Sequence, residues 1–101
     1  MTRFDDRQVI KVGGAHLDDE DYLVELIAHL REVVRHQGHV VLVHGGGREI
    51  AKLHDALAIP YRKEVGLRVT SEAGMEVVAM VLCGLINKRL VAMLNAAGVP
   101  A

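Results

Sequence analysis

The chain has 101 residues, half of them apolar and a quarter charged, and a formal net charge of −1. That length suits one small domain, and the composition is globular rather than disordered. With Phe4, Tyr22 and Tyr61 as the aromatic residues and no basic stripe, the core is aliphatic and a nucleic-acid partner is not expected.

The opening "MTRFDDRQ" is charged and has no apolar h-region, so no signal peptide is predicted. Gln8 to Val12 reads as a buried strand, rich in β-branched residues and ending in Gly13 and Gly14. "HLDDEDYLVELIAHLREVVRHQG" reads as an amphipathic helix, with Leu23, Leu26, Ile27, Leu30, Val33 and Val34 at helical spacing. Asp18, Asp19, Glu20 and Asp21 fall in its first turn, Arg31, Arg35 and His36 near its end, and Gly38 at its C′ position. A second strand follows at His39 to Val43, whose near-continuous apolar run suits a strand covered on both faces. After Gly45, Gly46 and Gly47, residues Glu49 to Leu57 read as a helix. Strand, helix, strand, helix predicts parallel strands joined by a right-handed crossover.

Pro60 stops that helix, and "YRKEVGLRVT" reads as a short hairpin with Gly66 near its turn. Thr70 or Ser71 caps a third helix, with Glu72 and Glu76 in its early turns. Its body, "VVAMVLCGLI", is apolar nearly all round, which predicts burial on more than one side, by a partner subunit or by further parts of the same protein. The run from Val77 to Ile86 is too short to span a bilayer, so no membrane partner is expected. Cys83 within it has no disulfide partner and reads as a small core residue in a reducing compartment, and a soluble, cytoplasmic protein is predicted. "INKRLVAMLNAAG" is a fourth helix ending at Gly98, and "AAGVPA" has the form of a helix stop before a new strand. Two parallel strands leave an open edge, so the sequence reads as the front of a longer protein.

The glycines carry the chemistry. "GGGREI" is no Walker A loop, since no Gly-Lys-Ser/Thr follows, and it does not match G-x-G-x-x-G. An esterase oxyanion loop would need G-x-S-x-G, and the only serine, Ser71, lies in "VTSEAG". What remains is a pair of strand-to-helix turns that expose backbone N–H groups with no Cβ in the way, beside a helix dipole that favours an anion. Parallel strands would set "KVGG" and "HGGG" side by side at the carboxyl edge of the sheet, where ligands of open α/β sheets bind. Lys11, inside an apolar strand, is costly to bury without a partner, and an anion at that edge would supply one. The competing reading is two plain βα turns with a lysine that snorkels. His36 and His39 straddle a helix end and a strand start without a third ligand, so no metal site is predicted.

"KVGG", "VLVHGGGREI", "GLRVT" and "EVVAMVLCGLINKRLVAMLNAAGVPA", in that order and spacing, closely resemble the amino-terminal part of the acetylglutamate kinases, members of the amino-acid kinase family. Relatives acting on carrier-bound aminoadipate or glutamate share the first two motifs, whereas "GLRVT" fits the acetylglutamate branch better. The resemblance covers about Gln8 to Ala101. It implies a three-layer αβα sandwich with a mainly parallel sheet, of which residues 1–101 form the N-terminal, acyl-amino-acid-binding lobe. It implies transfer of the γ-phosphoryl group of ATP, with Mg2+, to the side-chain carboxylate of N-acetyl-L-glutamate in arginine synthesis. The alternatives are a carboxylate kinase for a carrier-bound amino acid and a non-catalytic ligand-binding or oligomerisation module.

By the same resemblance Lys11 is the catalytic residue, offsetting charge on the transferring group. Gly13, Gly14, Gly45 and Gly46 cradle its oxygens, Gly66 and Leu67 shape the substrate wall, and Arg68 pairs with a substrate carboxylate. His44 and Gly47 support the loop, since a carboxylate needs no deprotonation at neutral pH. A second lysine, an organising aspartate, a substrate-binding asparagine and the adenine pocket are implied to lie beyond Ala101, so the chain alone is expected to be inactive. A homo-oligomer through the helix around Met75 to Leu85 is expected.

Overall fold

The computed structural model describes residues 7–60, 62–64 and 67–101, with residues 62–64 and 67–69 described by their backbone. They divide into two compact units, Met1–Gly45 with Leu90–Ala101, and Gly46–Arg89. The architecture is α/β, as expected, with a parallel two-stranded sheet and helices.

In the first unit, β1 (Arg7–Val12) pairs in parallel with β2 (His39–His44), with Arg7 opposite His39 and Val12 opposite His44. The crossover is α1 (Glu20–Arg35), preceded by a 3-10 turn over Gly14–Asp18. The sequence pattern placed four acidic residues in one first turn. Instead Asp19 sits outside the helix in an extended conformation, and its carboxylate accepts the Tyr22 N–H at 3.2 Å, leaving Glu20 and Asp21 in the first turn. The helix ends one residue earlier than a glycine cap would require. Gln37 takes the left-handed conformation (φ 61°), and Gly38 follows it, donating its N–H to the Val33 carbonyl at 2.8 Å. The physical reason is the position of that carbonyl, which fixes which residue must turn.

The core of this unit joins Val12, Leu26, Leu30, Leu94 and Val99, with Ile10, Val40 and Leu42 packed against it. Leu94 lies on α4 (Asn87–Ala96). Arg31 Nε donates to the Ala97 carbonyl at 2.7 Å and ties α1 to the end of α4. Strand alternation sends every second residue the other way. Val9, Val41 and Val43 are therefore exposed (74, 61 and 43%), so within residues 7–101 the described side chains cover one face of the sheet.

In the second unit, α2 (Gly47–Ala56) begins two residues before the predicted start. β3 (Arg62–Glu64) and β4 (Leu67–Val69) form the expected antiparallel pair, Lys63 opposite Arg68. The predicted turn position, Gly66, lies outside the described residues. Ser71 caps α3 (Glu72–Ala79), its Oγ accepting the Gly74 N–H at 3.0 Å. A π-helical segment, Met80–Ile86, follows directly and runs into α4. The predicted third and fourth helices are thus one helix, Glu72 to Ala96. The stretch between them holds no proline, and one glycine weakens a helix by only about 1 kcal/mol; a π turn absorbs the change of register.

That helix is long and apolar enough, by length and composition, to cross a membrane, with a mean hydropathy of 1.9 over its 18-residue window. The ten-residue estimate was short because few charges interrupt the flanks. Core helices of soluble proteins pass the same test, so it is weak evidence of a membrane span. Val77, Val81 and Ile86 are buried with Ile50 and His54, whereas Met75, Met80 and Leu85 are exposed. Cys83 is exposed too, not a core residue.

Candidate functional site

The parallel register decides where the glycine turns fall. Val12 and His44 are partners at the ends of their strands, so Gly13 and Gly45 leave the sheet at the same edge. A Cβ built on Gly45 would stand 4.0 Å from the Gly14 backbone nitrogen, so the two turns are neighbours. Among the described residues nothing demands glycine at either place. Neither Gly13 nor Gly45 has a left-handed φ, and a Cβ on Gly13 would meet only the His16 ring, at an ordinary 3.7 Å. Gly46 differs. A Cβ there would collide with Ile86 Cδ1 and come within 2.9 Å of Leu82 Cδ2, so packing keeps that residue small. The missing Cβ atoms of Gly13 and Gly45 leave space beside backbone N–H groups, the chemistry of an anion cradle.

His44 is half-buried, and its Nδ1–H donates to the Gly45 carbonyl at 3.2 Å, fixing the ring tautomer beside the turn. Lys11 is exposed on the open face of the sheet, opposite Val43. Lys11 is therefore not buried as expected, because strand alternation turns it away from the core. Two residues of strand separate it from Gly13, about 6–7 Å, which is within the reach of an extended lysine.

Lys11, Gly13, Gly14, His44 and Gly45 belong to the first unit. Gly46 and Gly47, the start of α2, belong to the second, and the N-cap residue is Gly46, which has no side chain to cap the helix. Leu67 and Arg68 lie on β4, also in the second unit. Sequence reasoning gave no role to His54. It is 1% exposed on the last turn of α2, and its Nδ1–H donates to the Ile59 carbonyl at 2.9 Å. Nothing in its spacing marks it out, since a histidine near a helix C-terminus also suits the dipole.

A parallel strand–helix unit whose strands both run into glycine turns at one sheet edge defines an α/β protein with its two strand-to-helix turns at the carboxyl edge, the edge where open α/β sheets carry their ligands. The comparisons narrow the class. A profile of the amino acid kinase family matches residues 6–101, and the chain belongs to that family. It is 46% identical to an acetylglutamate kinase of Bacillus cytotoxicus over 92% of this chain and 35% of that protein. A Streptococcus mutans UA159 protein designated smu.665 shares 34% identity with a TM-score of 0.84, over 94% of this chain and 38% of that one. An N-acetylglutamate synthase from Neisseria gonorrhoeae, solved with coenzyme A and N-acetyl-glutamate, shares 25% with a TM-score of 0.65, over 93% and 22%. The chain thus spans about a third of the length of the curated relatives it matches.

Proposed function

We propose that residues 1–101 form the acyl-amino-acid-binding lobe of a cytoplasmic kinase that phosphorylates the side-chain carboxylate of N-acetyl-L-glutamate, a step of arginine synthesis. The observation that carries the reading is the pair of adjacent turns at Gly13–Gly14 and Gly45, with Gly13 and Gly45 glycine where neither conformation nor packing among the described residues asks for it. The names of the relatives, a kinase and a synthase that share N-acetylglutamate, support this substrate over a carrier-bound amino acid.

ATP with Mg2+ supplies the γ-phosphoryl group when bound. The glycine turns fit its phosphoryl end, because backbone N–H groups there have room for tetrahedral oxygens. Lys11 offsets the charge that spreads over the oxygens during transfer, where positioning and electrostatics do most of the work. Backbone N–H groups of Gly13, Gly14, Gly45 and Gly46 orient phosphoryl and carboxylate oxygens, with His44 and Gly47 holding the loop. Gly66 and Leu67 wall the acyl amino acid, and the Arg68 guanidinium pairs with its carboxylate. A second copy of the chain packs on the helix face around Met75 to Leu85.

The test uses the full-length protein and traps acyl phosphate as its hydroxamate. N-acetyl-L-glutamate with ATP and Mg2+ should give product. Lys11→Ala should lower kcat at least about a hundredfold with the circular dichroism unchanged. Arg68→Ala should raise KM for the acyl amino acid about tenfold. Product from a carrier-bound amino acid alone moves the assignment to that branch; no product from either supports a binding module.

A further inference from the structure

We propose that His54 is a positioning residue for the acyl-amino-acid subsite, a clasp that holds the foot of the β3–β4 pair carrying Arg68 against the start of α3. The inference rests on the reading of Arg68 as the partner of the substrate carboxylate.

The β3–β4 pair spans only three residues per strand. An isolated two-stranded pair is marginal in water, so its placement depends on what holds its ends. The chain enters it through Ile59 and Pro60 and leaves it through Thr70 and Ser71. His54 lies near both. On the entry side the contact is reciprocal: the Ile59 N–H donates to the His54 carbonyl at 2.9 Å, and His54 Nδ1–H donates to the Ile59 carbonyl, also at 2.9 Å. A carbonyl only accepts, so the ring carries its proton on Nδ1.

On the exit side the ring lies against the first turn of α3. A Cβ built on Gly74 would come within 3.4 Å of His54 Cε1, 3.2 Å of Thr70 Cγ2 and 3.2 Å of Ser71 Oγ. Gly74 is itself the residue whose N–H the Ser71 cap receives. One fully buried ring therefore holds the entry by a hydrogen bond and stands beside Gly74, in the turn that follows the exit. Removing the ring's donor would leave a carbonyl without its partner at the foot of the pair. A buried polar side chain in an aliphatic core is otherwise a poor choice, since an apolar residue of similar shape packs there without desolvation. Retaining it makes sense if a few tenths of an ångström at Arg68 matter.

The test compares His54→Leu, which keeps bulk without a donor, with His54→Asn, whose amide nitrogen stands where Nδ1 was. In the full-length protein His54→Leu should raise KM for N-acetyl-L-glutamate about tenfold. KM for ATP and kcat should stay within about twofold, and His54→Asn should restore most of the loss. Equal shifts in both KM values, or equal behaviour of Leu and Asn, would overturn the proposal. Hydrogen exchange without substrate gives a reading independent of the activity. Amides of β3 and β4 should exchange about tenfold faster in His54→Leu, with those of α1 unchanged. Unchanged exchange in the pair sinks the clasp even if the wild-type protein acts on another substrate, and faster exchange with no change in KM sinks the positioning role. Should His54→Leu not fold, Gly74→Ala perturbs the same contact from the exit side and should give the same split in KM; an unchanged split overturns the proposal.

Discussion

Gln37, Ala58 and Gly98 each turn the chain out of a helix through the left-handed region, at φ 61°, 54° and 82°, and only one of them is glycine. The bonding is shared: Gly38, Ile59 and Val99 donate to the carbonyls of Val33, His54 and Leu94 at 2.8, 2.9 and 2.9 Å. A residue with a Cβ pays roughly 1–2 kcal/mol in this region, partly offset by the extra freedom that glycine has in the unfolded chain. Gln37→Gly and Ala58→Gly are each expected to stabilise the protein by about 0.5–1 kcal/mol, read as a higher urea midpoint at unchanged m-value. A lower midpoint would count against these backbone assignments. At this scale the sequence was partly legible. Gly98 announced its helix end because glycine sits at the turning position, whereas Gly38 misled by one residue because the turn falls on Gln37. His54 was not legible, since its meaning depends on a carbonyl five residues later folding back over the helix.

Elements were easier to read than residues. β1 and β2 follow from β-branched runs ending in glycine, and their parallel pairing follows from the helix between them. The π segment was hidden, since its length and composition match an ordinary helix. The caps give a direct test. Ser71→Ala removes the Oγ that receives the Gly74 N–H and should cost about 1 kcal/mol of stability. Leu30→Ala opens the first unit between α1 and the sheet and should cost about 2–5 kcal/mol, with both values read from chemical denaturation. A loss for Ser71→Ala as large as for Leu30→Ala would show that the capping turn does more than end a helix.

For the molecule as a whole, the proposed assembly would use the apolar helix from Glu72 to Ala96. Met75, Met80 and Leu85 are 55, 49 and 41% exposed. Met80 and Leu85 also line an open groove of about 260 Å³ with Leu53, Ala56 and Val81. On that proposal Met80→Asp is expected to dissociate the full-length protein to a lower sedimentation coefficient, with Val78→Asp a weaker probe because Val78 is already partly buried. Unchanged sedimentation of Met80→Asp would remove this face from the interface. The two units also differ in how they are drawn from the chain. Gly46–Arg89 is one continuous stretch, whereas the first unit takes its last pieces, Leu94 and Val99, from Leu90–Ala101. On a ribosome, which releases the chain from its amino end, the first half of the first unit emerges early but waits for those two side chains. The second unit, made later, has all its residues sooner, so order of synthesis and order of completion are reversed.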